Sequence, residues 1–194
     1  MKRDSRHGRE AILSAAMRLF AEKGYAGAST REICEVAGIT KPVLYYHFRS
    51  KEHLYQELMI DSFGQFHKVL LRASKVRGPF RQRLTRVVYD DLKSTLDDPV
   101  RVQFVFRMIF SPEGQRPYFN ALENMESQRE LFAGIFREGI LAGEVDGDPR
   151  QLATFLMGMN LVLVLEHLFS GRPTLTRRNA EKIVGILLEG CCAK

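Results

Sequence analysis

Residues 29–48 read STREICEVAGITKPVLYYHF, and the placing of the serine, glycine, threonine and proline in that stretch decides the fold. Ser29 followed by Glu32 matches a capping box, in which each residue's side chain satisfies a backbone N–H of the other. A short helix to about Val36 follows from it. Gly38 permits a tight turn. Thr40 can then cap a second short helix, with Pro42 in the first turn, where a missing N–H costs nothing. Two short helices separated by a glycine turn make a helix-turn-helix, whose second helix enters the major groove of DNA. Ile33, Ala37, Ile39 and Leu44 supply the apolar contacts between the two helices, and Cys34 occupies a position that needs a small residue. Leu44 and Phe48 belong to the core. Lys41, Val43, Tyr45, Tyr46 and His47 are left on the outward face.

Working outward, a first helix is expected from about Arg6 to Lys23, with Ile12, Ala15, Ala16, Leu19 and Phe20 on one face and Gly24 ending it. A fourth starts at Ser50 and continues through Leu54, Leu58, Phe63, Phe66 and Leu70. Gly78-Pro79, Asp98-Pro99, the loop SPEGQRP, Asp148-Pro149 and SGRP then punctuate five more helices, near residues 80–96, 99–110, 117–142, 149–169 and 176–191. No segment shows strand alternation. The expected fold is all-α with about nine helices, divided into residues 1–50 as a helix-turn-helix domain and residues 51–194 as a helical bundle.

The chain has 194 residues, 45% hydrophobic and 27% charged, with a formal net charge of +6. These figures suit a folded protein with anionic partners. Residues 1–53 hold ten Lys/Arg against six Asp/Glu, so most of the excess surrounds the helix-turn-helix. The opening MKRDSRHGRE has no signal-peptide run behind it, and Phe155–Leu165 is about half of the roughly 20 residues that span a bilayer. That apolar stretch reads as a buried helix, and the expected location is the cytoplasm without a membrane. Cys34, Cys191 and Cys192 have neither disulfide-framework nor metal-ligand spacing. With no Ser/His/Asp set, Gly-rich phosphate loop or HExxH motif, an enzyme is the least favoured class and no cofactor is expected.

The outward residues carry chemistry suited to duplex DNA. Lys41 can donate to guanine acceptors or to a phosphate, and Val43 can touch a thymine methyl. Tyr45, Tyr46 and His47 can donate to phosphate oxygens, and Lys51 adds charge where a helix N-terminus already favours a phosphate. Thr30 and Arg31 can do the same one helix earlier. Packing is the competing reading for Tyr45 and Tyr46. For the cations Lys68, Arg72, Lys75, Arg77, Arg81, Arg83 and Arg86 a solvated surface is preferred to an extended DNA face. The basic tail Lys2–Arg9 is either a minor-groove arm or disordered.

From Ala16 to Leu54, the segments LFAEKGYAGAST, REICEVAGITKPVLYYHF and SKEHL resemble the DNA-binding module of the TetR family of bacterial transcriptional regulators. REGILAGEVDGDPRQLATFLMG resembles the junction of helices seven and eight in many members. Cys34 stands where alanine is commoner and Pro42 where glycine is frequent, which leaves the base preference open. The resemblance implies contacts to operator DNA from Thr30, Thr40, Lys41, Pro42, Val43, Tyr45, His47 and Lys51. It also implies a homodimer joined through the last two helices, and C-terminal helices that enclose a small-molecule effector.

The C-terminal region is rich in aromatic residues and methionine. Phe104, Met108, Phe119, Leu122, Met125, Phe155 and Met159 are candidate walls of a lipophilic effector site, and Asn160 and His167, with Glu166, are candidate polar anchors. Taken singly, each apolar one reads as core. The expected function is a ligand-responsive repressor released from a near-palindromic operator. Two alternatives stand beside it: a DNA-binding regulator controlled by a protein partner, and a helical ligand-binding protein without sequence-specific DNA binding.

Overall fold

A computed structural model describes residues 2–112, 114–172 and 174–189; Cys191 and Cys192 lie outside them. Among the described residues there are nine α-helices and no strand: α1 Lys2–Gly27, α2 Thr30–Ala37, α3 Lys41–His47, α4 Lys51–Ser74, α5 Phe80–Asp97, α6 Pro99–Ile109, α7 Ala121–Leu141, α8 Pro149–Ser170 and α9 Arg177–Glu189. Gly24 interrupts α1 with φ 75° and ψ 169°, a conformation that glycine enters without steric cost. The regular helix therefore stops where the sequence places its end, and a further turn follows the kink. The backbone of the basic tail from Lys2 is helical and continuous with α1.

The chain forms two compact units, the first made of Met1–Gly64 with Pro99–Asn120, the second of Gln65–Asp98 with Ala121–Lys194. In the first, α6 packs on α1. Phe20, Tyr55 and Phe104 are fully buried there, with Phe20 stacked 6.2 Å from Phe104 and meeting Tyr55 edge-on at 6.5 Å. Burying each such ring contributes about 1.5–3 kcal/mol. Residues 99–120 thus supply, as Phe104, one of the three rings of this cluster. The second unit packs α5 on α9 and α8, and α7 on α8. Its core includes Phe80, Leu84, Val88, Phe132, Phe136 and Leu156.

Two expectations change. Helix α7 begins at Ala121 and not near residue 117; in the segment ahead of it the Tyr118 carbonyl accepts Gln56 Nε2 at 2.7 Å. Phe119 stacks on Phe63 at 5.5 Å, which also holds this segment in the first unit. Helix α8 is buried on one face only: Leu156, Asn160 and Val164 are enclosed, whereas Phe155, Leu161, Val162 and Phe169 are exposed. Its start is as the sequence indicates, with the Asp148 side chain accepting from the Gln151 N–H at 2.8 Å and Pro149 in the first turn.

Candidate nucleic-acid interface

The interface is built from local signals. Ser29 Oγ accepts the Glu32 N–H at 3.1 Å and Glu32 Oε2 accepts the Ser29 N–H at 2.9 Å, so the capping box that starts α2 is complete. The same carboxylate accepts Lys23 Nζ at 2.6 Å. That bond first, and the Ser29 N–H second, hold the Glu32 pKa down at about 2. Gly38 closes α2 in the left-handed region at φ 66°. Thr40 occupies the N-cap of α3, but its side chain makes no capping hydrogen bond. Ser50 caps α4 by accepting the His53 N–H at 3.0 Å.

Helix α3 is seven residues long and two of its neighbours in register fix its orientation. Leu44 and Phe48, four residues apart, are fully buried, so the remaining faces point out. Lys41, Pro42, Val43, Tyr45 and Tyr46 are exposed, and His47 is half-buried. Tyr46 is 79% exposed, which assigns it no packing role in the chain. Its ring meets the His47 imidazole edge-on at 5.0 Å. A Cβ on Gly8 would sit 3.4 Å from His47 Nε2 and 4.0 Å from Val43, so the N-terminal part of α1 runs beside the outward residues of α3.

Two other candidates are engaged within the chain. Lys51 Nζ lies 4.1 Å from the centre of the Tyr25 ring, and burial lowers its pKa against the opposing pull of Glu32. Arg31 pairs with Glu35 at 2.8 Å along α2, while Thr30 is half-buried. Arg9, which pairs with Glu57, lies over the Phe48 ring at 5.4 Å and ties α1 to the end of α3.

The candidate effector residues do not gather in one unit. Phe104 and Met108 are fully buried in the first, where Phe119 stacks on Phe63. Leu122, Met125, Phe155, Met159, Asn160 and His167 belong to the second. Of these, Leu122, Met125 and Phe155 are exposed, and Met159 and His167 are half-buried. Asn160 is buried, and its Nδ2 donates to Asp91 Oδ2 at 3.1 Å. The sequence reading missed Asp91. Its spacing from Val87, Val88 and Thr95, all buried, is the signal that would have placed it on the inner face of α5.

The family model described as "Bacterial regulatory proteins, tetR family" matches residues 12–58. The chain is 28% identical over 149 residues to the HTH-type transcriptional repressor KstR2 of Mycolicibacterium smegmatis, covering 72% of this chain and 68% of that protein. Among solved structures it resembles the transcriptional regulator FadR from Bacillus subtilis in complex with stearoyl-CoA, with a TM-score of 0.78, 20% identity and coverage of 94% and 99%. It also resembles AibR in complex with isovaleryl coenzyme A and operator DNA, with a TM-score of 0.70, 24% identity and coverage of 93% and 98%.

Proposed function

We propose that the chain, whose residues 12–58 match the model of the tetR family of bacterial regulatory proteins, is a ligand-responsive transcriptional repressor of the bacterial cytoplasm, not an enzyme. The observation that carries this is the outward face of α3, with Leu44 and Phe48 locking the helix from behind while Lys41, Val43, Tyr45 and Tyr46 stay exposed. Lys41 and Val43 face base edges. Thr40, Tyr45, Tyr46, His47 and Lys51, with Pro42 shaping the first turn, face phosphates and sugar; Thr30 and Arg31 approach from α2. In this reading residues 1–50 bind DNA, and residues 51–194 receive the effector and a second protomer.

A homodimer through α8 and α9 explains the apolar side chains that the chain leaves uncovered. Phe155, Leu161, Val162 and Phe169 on α8 and Ile186 on α9 are exposed. Helix α8 is long and apolar enough to cross a membrane, but it packs on α5, α7 and α9, and a second copy is the cover this reading assigns. Two protomers then present two α3 helices to the half-sites of a near-palindromic operator. A small lipophilic effector that prefers a conformation with mismatched half-site spacing releases the DNA, and the coupling is equal in both directions.

Selection of bound sequences from a random duplex library at two salt concentrations tests the reading. An inverted repeat that survives the higher salt supports it. Recovery of only unrelated, salt-sensitive DNA would overturn it.

A further inference from the structure

Helices α5 and α8 pack together in the second unit, and at their seam two polar side chains stand among aliphatic ones. Asn160 is 4% exposed and shares its face of α8 with Leu156 and Val164, four residues before and after it and both buried. On α5, Asp91 shares its face with Val87, Val88 and Thr95, also buried. Asn160 Nδ2 donates to Asp91 Oδ2 at 3.1 Å. The other end of the amide, Asn160 Oδ1, is buried and has no hydrogen-bond partner among the described residues. Asp91 as a residue keeps some exposed surface, yet its carboxyl is enclosed enough that burial pushes its pKa up to about 6, against the pull of the Asn160 bond. It is therefore mostly ionised at neutral pH.

A pair whose task is to tie two helices together uses both ends of its amide. Among the described residues the carboxylate has one neutral donor and the neighbouring acceptor has none, an arrangement that a positively charged donor completes. We propose that Asp91 and Asn160 form the polar end of an effector site in the second unit, selecting an apolar molecule that carries a protonated amine. The inference rests on the ligand-responsive reading above. An ammonium group has three N–H donors and no acceptor, enough for Asn160 Oδ1 and both carboxylate oxygens. An anionic head would meet the Asp91 charge and find Asn160 Nδ2 already engaged. The selectivity opposes the field of the whole chain, whose formal net charge of +6 attracts anions. A preference for the amine has to come from a local site.

Isothermal titration of the full chain with decylamine, decanol and decanoate, each below its micellar concentration, tests this. The expected result is decylamine binding about tenfold or more tightly than decanoate, with Asp91→Asn bringing the two within about twofold and Asn160→Leu weakening decylamine alone. Comparison of probes within each variant separates loss of selectivity from loss of folding. Equal binding of decylamine and decanoate by the unaltered chain would overturn the inference and leave a ligand-responsive regulator standing. An unchanged preference in Asp91→Asn would overturn it too. If none of the three binds while operator DNA still does, both the inference and the ligand-responsive reading fail.

Discussion

The ammonium of Lys51 lies 4.1 Å from the centre of the Tyr25 ring and 6.0 Å from that of Phe20, so the first residue of α4 is fastened to the last turns of α1. A lysine held over an aromatic face has given up side-chain freedom before any phosphate arrives. Burial that lowers its pKa makes a phosphate partner worth more to it than to a solvated lysine.

Lys51→Ala is expected to weaken binding to all duplexes alike and to reduce the salt slope by about one. Tyr25→Leu keeps the charge, so the slope stays the same while affinity falls by about 0.5–1 kcal/mol. Affinity titrations at several salt concentrations check both. A sequence-dependent loss in Lys51→Ala would transfer that residue from phosphate to base contact.

Lys41→Ala is expected to cost about 1–3 kcal/mol on the preferred operator and to flatten preference at one base position. Competition between the operator and its single-base variants measures it. Uniform weakening across all variants would show that Lys41 holds a phosphate instead.

Glu32 gives a pH signature. Its folded pKa is about 2 against an ordinary 4.5, so between those values the unfolded chain binds more protons and stability rises with pH. Its contribution is complete above the ordinary value and is lost as pH falls through the folded one. Glu32→Gln can still accept from the Ser29 N–H but loses the ion pair with Lys23. The Tm difference between the two proteins is expected to be full near neutral pH and to close toward the acid end of that window. A difference independent of pH would mean that the capping bonds, not the charge, carry the effect.

Gly139 in α7 has no room for a side chain, because an added Cβ would lie 2.6 Å from Phe80 Cε2. The Phe80 ring is 1% exposed and meets Phe136 edge-on at 6.0 Å, so it has nowhere to move. Gly139→Ala is expected to destabilise the chain by about 1–3 kcal/mol despite the better helix propensity of alanine, and denaturant unfolding measures it. Stabilisation would show that α5 and α7 separate easily.

The helix-turn-helix was legible because its determinants are local. A serine three residues before a glutamate, a glycine in the left-handed region and a proline in a first turn act within one or two turns of backbone, and Ser29, Gly38 and Pro42 stand in the structure as their types require. The apolar spacing of Leu44 and Phe48 likewise settles which face of α3 turns outward. The segment ahead of α7 was not legible in the same way, because its partners lie far along the chain: Gln56, sixty-two residues away, on the Tyr118 carbonyl, and Phe63 on the Phe119 ring.

The sequence by itself determined the all-helical class, the helix-turn-helix and the residues that its second helix exposes. Only the tertiary structure decided what covers each apolar face. Periodicity marks Phe104 and Met108 as inward-facing, but not that the ring of Phe104 stacks on Phe20. It marks α8 as apolar, but not that Phe155 and Val162 are left uncovered while Asn160 turns inward to meet Asp91. The physical reason is range: caps and turns are satisfied by neighbours along the chain, whereas burial and the pairing of a buried carboxylate depend on residues that folding alone brings together.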